Sequence, residues 1–471
     1  MRSLVAALLL AVSCSPAWAA DAAPLALHPD NPHYFLFRGK AAILMGSTEH
    51  YGAVLNGAFD NVAYLDTIRH DGMNLTRTFS GVYREVPGSF GITGNTLAPA
   101  PDQYVAPWPR TDTPGSADGL AKFDLSKWND AYFRRLAAFV KAASDRGIVV
   151  EFVLFCPFYE QNLWDVNPMN ARNNVNGIGD LPRDKVYTIE NGKLLDVHDA
   201  FVRKAVAALR ESDNVYFEIC NEPYFGGVTL DWQRHIARTI ADAEKDLPHK
   251  HLIAQNIAND WAKIDRPDPL VSIFNFHYAN PPRAVTENFA LGKAISYDET
   301  GFKGPDDAVY RVHGWEFLMA GGAVNDNLDY SFTTDNAVGT AKVPAPGGGS
   351  SALRRQLKTL KTFVERFDFV KTKPMQLRDF GEGMTARGLA EEGRQYAIYI
   401  RRALPDKTHP APLKPAPAEL TLPLPAGDYE LEWTDPVTGT AGGKHSIHAH
   451  GMQALGSPPF SQDVALRIVR K

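Results

Sequence analysis

The chain has 471 residues, a formal net charge of -5, 44% apolar and 11% aromatic residues. That length exceeds one small domain and suits a large barrel with a partner of roughly 100 residues. A small net charge without a long basic stripe argues against nucleic acid as a partner, and three cysteines with no CxxC or Cys/His cluster exclude a disulfide scaffold and a zinc site of the usual kind.

Residues 1–19 place Arg2 before an apolar run and end in Ala17-Trp18-Ala19, the pattern of a secretory signal peptide. A lipoprotein signal acylated at Cys14 is the alternative. No later segment approaches the roughly 18 uncharged apolar residues of a membrane span, so a protein of the periplasm or the exterior without a membrane span is expected. Cys156 and Cys220 then remain. They fall at the ends of predicted neighbouring strands, where a bridge is conceivable and buried free thiols are the favoured reading.

From residue 40 to about 330, short apolar runs alternate with amphipathic segments, the signature of repeated βα units and a parallel sheet. Candidate strands are residues 42–46, 73–79, 148–155, 215–220, 252–256, 272–277, 294–297 and 317–321. Eight of them predict an α/β fold, a closed (β/α)8 TIM barrel over 20–370. In the helix predicted at 127–144, Tyr132, Leu136, Phe139 and Val140 recur at helical spacing and form its inner face. Long loops at 80–124 and 157–193 follow the carboxyl ends of strands, where barrel active sites lie. A Gly/Pro-rich stretch at 343–349 precedes a last helix at 351–367, and strand-like runs at 395–400, 419–422, 429–433 and 464–469 predict a small all-β sandwich over 371–471.

The strongest chemical signal is the apolar strand Val215 to Cys220 running into Asn221-Glu222-Pro223, fourth in the series. A second short strand, seventh in the series, ends in Glu299-Thr300-Gly301, with Asp298 as the rival carboxylate. Strands four and seven face each other across a barrel mouth, the placement that two carboxyl groups acting on one bond require. Adjacent residues of a regular strand point to opposite faces, so either Asp298 or Glu299 faces inward, and so does either His277 or Tyr278 unless strand six ends at His277.

These two sites resemble the acid/base and nucleophile motifs of the clan A glycoside hydrolases, the group that includes family 5. The resemblance implies Glu222 as general acid/base, Glu299 as nucleophile, and Asn221 as a ligand of the substrate's 2-hydroxyl. Gly72-Met73-Asn74-Leu75-Thr76-Arg77 resembles the clan's second strand, whose arginine lies under the nucleophile and keeps it ionised. His277 and Tyr278 resemble a His-x-Tyr pair that supports the nucleophile. Strand eight departs from the clan, which offers a tryptophan where this chain has Gly321-Gly322-Ala323-Val324-Asn325-Asp326-Asn327.

Glu49 and His50, after strand one, are candidates for binding a terminal sugar, or for capping their own loop. Trp164 and Asn174, in a cluster with Tyr159, Asn173 and Asn176, are candidates for stacking and hydroxyl recognition, with pinning of the loop as the alternative for Trp164. The run Leu424 to Gly439 is similar to the C-terminal β domain behind many such barrels, sometimes labelled collagen-binding. The resulting expectation is a secreted retaining hydrolase of a poly- or oligosaccharide that needs no cofactor and no metal. A non-hydrolytic carbohydrate-binding barrel and a transglycosidase are the alternatives.

Overall fold

The structure, a computed structural model, describes residues 23–375, 377, 383–404 and 413–471. The expected signal peptide at 1–19 lies outside them. Among the described residues no helix is long and apolar enough to cross a membrane.

Eight parallel strands close a barrel in sequence order: Leu44–Thr48, Leu75–Phe79, Val149–Phe155, Val215–Cys220, Ile253–Asn259, Ile273–His277, Ala294–Glu299 and Val324–Leu328. We number them barrel strands one to eight. Every residue of strands one to four and six to eight is buried, as expected where helices cover a parallel sheet. The helices start where short polar side chains satisfy free backbone N–H groups. Asp60 accepts from Val62 and Ala63, Asn129 from Ala131, Thr229 from Trp232, Asp306 from Ala308 and Ser350 from Leu353. The predicted inner face Tyr132, Leu136, Phe139 and Val140 is buried on the helix Asp130–Asp145. Between strands five and six the chain makes no helix and crosses through turns at 260–272.

The expected eighth strand at 317–321 is not one. Phe317 to Met319 close the helix Asp307–Met319, and the strand is Val324–Leu328. Apolarity misplaces it because this helix is buried on nearly all sides, whereas the strand carries Asp326 into the barrel, where Thr48 Oγ1 donates to its carboxylate at 2.7 Å. Gly46 of strand one makes the room, since a Cβ there would overlap the Asp326 carboxylate.

A three-stranded antiparallel sheet, Ala26–His28, Asn31–Phe37 and Lys40–Ala42, precedes strand one and was not anticipated. Behind the barrel stands an all-β domain, one six-stranded antiparallel sheet. Its strands are Lys373–Met375, Met384–Glu391, Gln395–Arg402, Glu419–Thr434, His445–Gly456 and Asp463–Arg470. A bulge between Leu424 and Gly427 in the longest strand shifts its alternation by one residue. Leu420, Leu422 and Leu424 before it and Tyr429, Leu431 and Trp433 after it thereby share one core.

The other face of this sheet docks on the barrel. Tyr399 stacks on Trp315 with ring centroids 5.1 Å apart, and both belong to the main core. Beside that stack, Arg311 of the barrel helix donates to both carboxylate oxygens of Asp463 at 2.9 and 3.1 Å, and Tyr399 donates to the same group at 2.8 Å. Asp463→Ala would leave the Arg311 guanidinium buried without its counter-charge, at a cost of about 3–5 kcal/mol. Thermal unfolding should show a clear fall in Tm, and limited proteolysis should release the C-terminal sheet first. An unchanged Tm would mean that the pair does not hold the two units together.

Candidate active site

At the carboxyl ends of the barrel strands lies a cavity of about 250 Å³. Behind its wall lies Arg77 of strand two, fully buried and 3.5 Å from the lining residue Glu299. The guanidinium donates to Glu218 Oε2 at 2.7 and 3.0 Å and to Asn221 Oδ1 at 2.7 Å, and lies 3.5 Å from both Asp298 and Glu299. Against the burial that opposes charge, Glu218, Asp298, the Tyr51 hydroxyl and Glu151 hold it protonated far more firmly than a free arginine. Lower in the barrel, burial pushes the Glu151 and Asp326 carboxyls well above the usual range.

Glu222 stands two residues past strand four with a left-handed φ of 37°. Tyr159 donates to its Oε2 at 2.7 Å, Tyr224 to Oε1 at 3.2 Å, and His277 Nδ1 lies 3.0 Å from Oε1. Glu299 closes strand seven. Tyr278 donates to its Oε1 at 2.5 Å and Tyr51 to its Oε2 at 2.8 Å. Tyr51 and Tyr278 also have left-handed backbones, φ 57° and 52°, so three non-glycine residues of the site are held in a costly conformation by their surroundings.

His277 and Tyr278 both reach the site because strand six ends at His277 and the chain turns there. At strand six this is the exception to alternation that the sequence left open. The pairing of strands six and seven slips between Phe276 and His277, so that His277 lies opposite Glu299. Asp298 points down the barrel, accepting from Asn275 at 2.8 Å with His277 Nε2 at 3.7 Å, and Glu299 lines the cavity.

Of the remaining candidates, Asn221 and His50 line the cavity. His50 Nε2 is 3.3 Å from both oxygens of Glu85, whose carboxylate also accepts from Asn95. Three candidates lie elsewhere. Glu49 turns its carboxylate onto the backbone N–H groups of Gly52 and Ala53, where burial pushes its pKa up to about 7. Trp164 is buried against Phe158 and donates to Leu181 O, pinning the loop. The Asn174 amide spends its donors on Pro168, Asn170 and Ile178 carbonyls. Each satisfies loop backbone that water cannot reach, which short-range patterns do not distinguish from ligand binding.

Tyr51, Glu85, Tyr224 and Asn259 are cavity or carboxylate partners that went unassigned. Only Tyr51 carried a signal, its place at the end of strand one. Cys156 and Cys220 are free and buried.

Burial alone would raise the Glu222 pKa, but the hydrogen bond and charge of His277 and the two tyrosine hydroxyls hold it below the usual carboxylate range. That differs from the raised value expected of an acid. His277 loses by burial and gains more from Glu299, Asp298 and Glu222, so its imidazole is held well above its usual pKa. One ligand atom from each of Glu222, His277 and Glu299 lies within 4.8 Å of the others.

Comparison with protein families matches residues 92–264, less than half of the chain, to a family described as Domain of unknown function (DUF6298). No curated protein matches. Among solved structures, a Bacteroides vulgatus protein assigned to the glycoside hydrolases is similar at 15% identity and TM-score 0.69, over 96% of this chain and 83% of its own. Another described as a glycoside hydrolase has 13% identity and TM-score 0.63, covering 95% and 97% of the two chains. A glycoside hydrolase family 5 structure from Bacteroides vulgatus has 15% identity and TM-score 0.61, covering 95% and 93%. The fold of this chain, barrel and C-terminal sheet together, is thus one that glycoside hydrolases use.

The ion pair of His277 and Glu222 has a pH signature. The lowered Glu222 contributes stability that is complete above its ordinary pKa of 4.5 and is lost as pH falls through the lower folded value. The raised His277 contributes stability complete below 6.5 and lost as pH rises toward its higher folded value. In denaturant titrations from pH 5 to 9, the stability difference between the native chain and His277→Gln should be largest near pH 5 to 6 and shrink steadily above about 6.5. A difference that stays flat over that range would mean that His277 is neutral.

Proposed function

We propose that this chain is a secreted glycoside hydrolase that cleaves by double displacement with retained configuration. The observation that carries the reading is the convergence of Glu222 and Glu299 in one cavity, with carboxylate oxygens within 4.8 Å. A retaining pair needs carboxyl groups about 5–5.5 Å apart, whereas an inverting pair leaves about 6.5–9.5 Å for a water between them. Secretion rests on the leader at residues 1–19.

The two carboxylates have environments suited to different tasks. Glu299 accepts two tyrosine hydroxyls and lies 3.5 Å from Arg77, a set that stabilises its anion and fixes its direction. It attacks the anomeric carbon as the bond to the departing oxygen breaks. The proton that this oxygen needs is held between His277 Nδ1 and Glu222 Oε1 and passes through Glu222 as negative charge develops on the leaving oxygen. That transfer leaves His277 neutral. In the second half, Glu222 takes a proton from water, the oxygen of that water displaces Glu299 from the sugar, and the proton returns to the His277–Glu222 pair. Charge and protons balance over the cycle without a cofactor. On the inner wall, His50 and Glu85 offer fixed polar groups to sugar hydroxyls.

Glu222→Gln and Glu299→Gln should each lower kcat/KM at least about 100-fold on a glycoside turned over by the native chain. Proton NMR of the first product should show retained anomeric configuration, and a 2-deoxy-2-fluoro glycoside should label Glu299 covalently. An inverted product, or full activity in both variants, would overturn the reading.

A further inference from the structure

The cavity at the barrel mouth is walled on one flank and open on the other. On the walled flank an arc of side chains joins the loops after four strands. Phe302, after strand seven, meets Tyr330, after strand eight, at 6.2 Å between ring centroids. Tyr330 meets His50, after strand one, at 6.0 Å, and His50 Nε2 lies 3.3 Å from the carboxylate of Glu85, after strand two. Phe302 stands at the rim, whereas Tyr330, His50 and Glu85 are buried. On the other flank, after strand four, Tyr224 and Phe225 are 38% and 43% exposed.

The wall is braced from behind. The Glu85 N–H bonds the Leu97 carbonyl at 2.9 Å, so residues 85–97 form one excursion of the loop after strand two, and Glu85, Phe90 and Leu97 of it line the cavity. The excursion lies across the loop after strand one, where Asn56 Nδ2 donates to Thr96 O at 2.8 Å and a Cβ at Gly52 would overlap the Thr96 carbonyl. It also reaches the loop after strand eight, whose Thr334 N–H donates to Gly94 O at 3.0 Å. Beyond the arc lies a second cavity of about 530 Å³, lined by Tyr330 and by residues of the Gly/Pro-rich stretch. The two cavities share no lining residue, and the Tyr330 ring, packed on His50 and Phe302, stands between them.

The two carboxylates give this asymmetry a direction. Tyr159 and Tyr224 donate to Glu222, and Tyr51, beside His50, donates to Glu299. The leaving group lies beside its proton donor, toward the open flank, and the ring under attack lies over Glu299, toward the wall. A saccharide chain that continued beyond that ring would leave through one of its other hydroxyls, and His50, Glu85 and Tyr330 close that path. We propose, on the basis of the glycosidase reading above, that the site accepts only the non-reducing terminal sugar of its substrate and releases it as a monosaccharide, with the His50–Glu85 pair as the end stop that binds that sugar's hydroxyls. The cavity volume of about 250 Å³ agrees, being below the roughly 300–1,000 Å³ of sites that enclose a drug-sized ligand. It has room for one sugar ring rather than two.

The test is a screen of common glycones, each offered as the 4-nitrophenyl glycoside of the monosaccharide and of a disaccharide of the same sugar. Both members of a pair have one leaving group, so direct nitrophenol release reports on the room beyond the attacked ring. The monosaccharide glycoside should release nitrophenol at once. The disaccharide glycoside should do so at least about 100-fold more slowly in kcat/KM, or only after a lag in which the terminal sugar appears first. Glu85→Ala should raise KM for the monosaccharide glycoside about tenfold or more, with a smaller change in kcat. Direct release from a disaccharide glycoside as fast as from its monosaccharide partner would overturn the terminal-sugar assignment, and a KM unmoved by Glu85→Ala would overturn the end stop. Either result leaves the glycosidase reading standing. Hydrolysis of no glycoside in the screen would overturn both.

Discussion

Arg77 places a permanent positive charge where no water can reach it, and the upper half of the barrel is arranged around that charge. Its guanidinium reaches Glu218 and Asn221 of the fourth strand and its exit, and Asp298 and Glu299 of the seventh. An isolated buried cation would cost several kcal/mol, so these partners must hold their positions for the barrel to be stable. Tyr51 and Phe79 add ring faces 4.7 and 5.4 Å from the guanidinium carbon. The interaction that stabilises the interior therefore also fixes Asn221, next to Glu222, and Asp298, next to Glu299.

The same charge sorts the protons. Several acids in one low-dielectric interior cannot all ionise beside one arginine, and the directions of their pKa values show which ones yield. Glu151 and Asp326, farther from the mouth, are pushed well up by burial, and Glu218 is pushed up as well, against the pull of Arg77. At the mouth, His277 supplies a second cation, and Glu222 is held down. A resting site with Glu222 ionised does not conflict with an acid role, because the proton lies 3.0 Å away on His277 rather than being absent. What the site requires is that this proton cross a short hydrogen bond when negative charge appears nearby, and a histidine poised between two carboxylates favours that.

Much of this arrangement was legible in the sequence, for reasons that differ from element to element. The run into Glu222 and the run into Glu299 are short apolar strands ending in a distinctive polar triplet, so pattern and chemistry coincide. Strand eight was misplaced because local hydropathy runs opposite to function there: Asp326 faces a polar interior, while the helix before the strand is apolar to meet the C-terminal sheet. Glu85 went unassigned because its partner His50 lies 35 residues away, and nothing local marks a loop carboxylate as facing a cavity. Glu49, Trp164 and Asn174 mislead in the opposite sense. Polar and aromatic residues in long loops serve first to satisfy the loop's own backbone, and that demand resembles ligand recognition in composition.

The C-terminal sheet also bears on the site, through one buried acid. Glu316, on the barrel helix Asp307–Met319, lies 3.3 Å from both Arg387 and Arg401 of the sheet. Its other oxygen accepts from Asn280 at 2.8 Å. Asn280 follows Tyr278 by two residues, its N–H bonds the Tyr278 carbonyl, and the Tyr278 N–H bonds the Glu299 carbonyl. A carboxylate that no arginine held ionised would favour neutralising itself at this depth and would accept less strongly from Asn280. The sheet thus fixes the charge of Glu316, Glu316 fixes the turn after strand six, and that turn presents the Tyr278 hydroxyl to Glu299. On this view the second domain contributes through geometry rather than by touching a ligand, because the left-handed turn at Tyr278 is costly and persists only where its neighbours determine it from both sides.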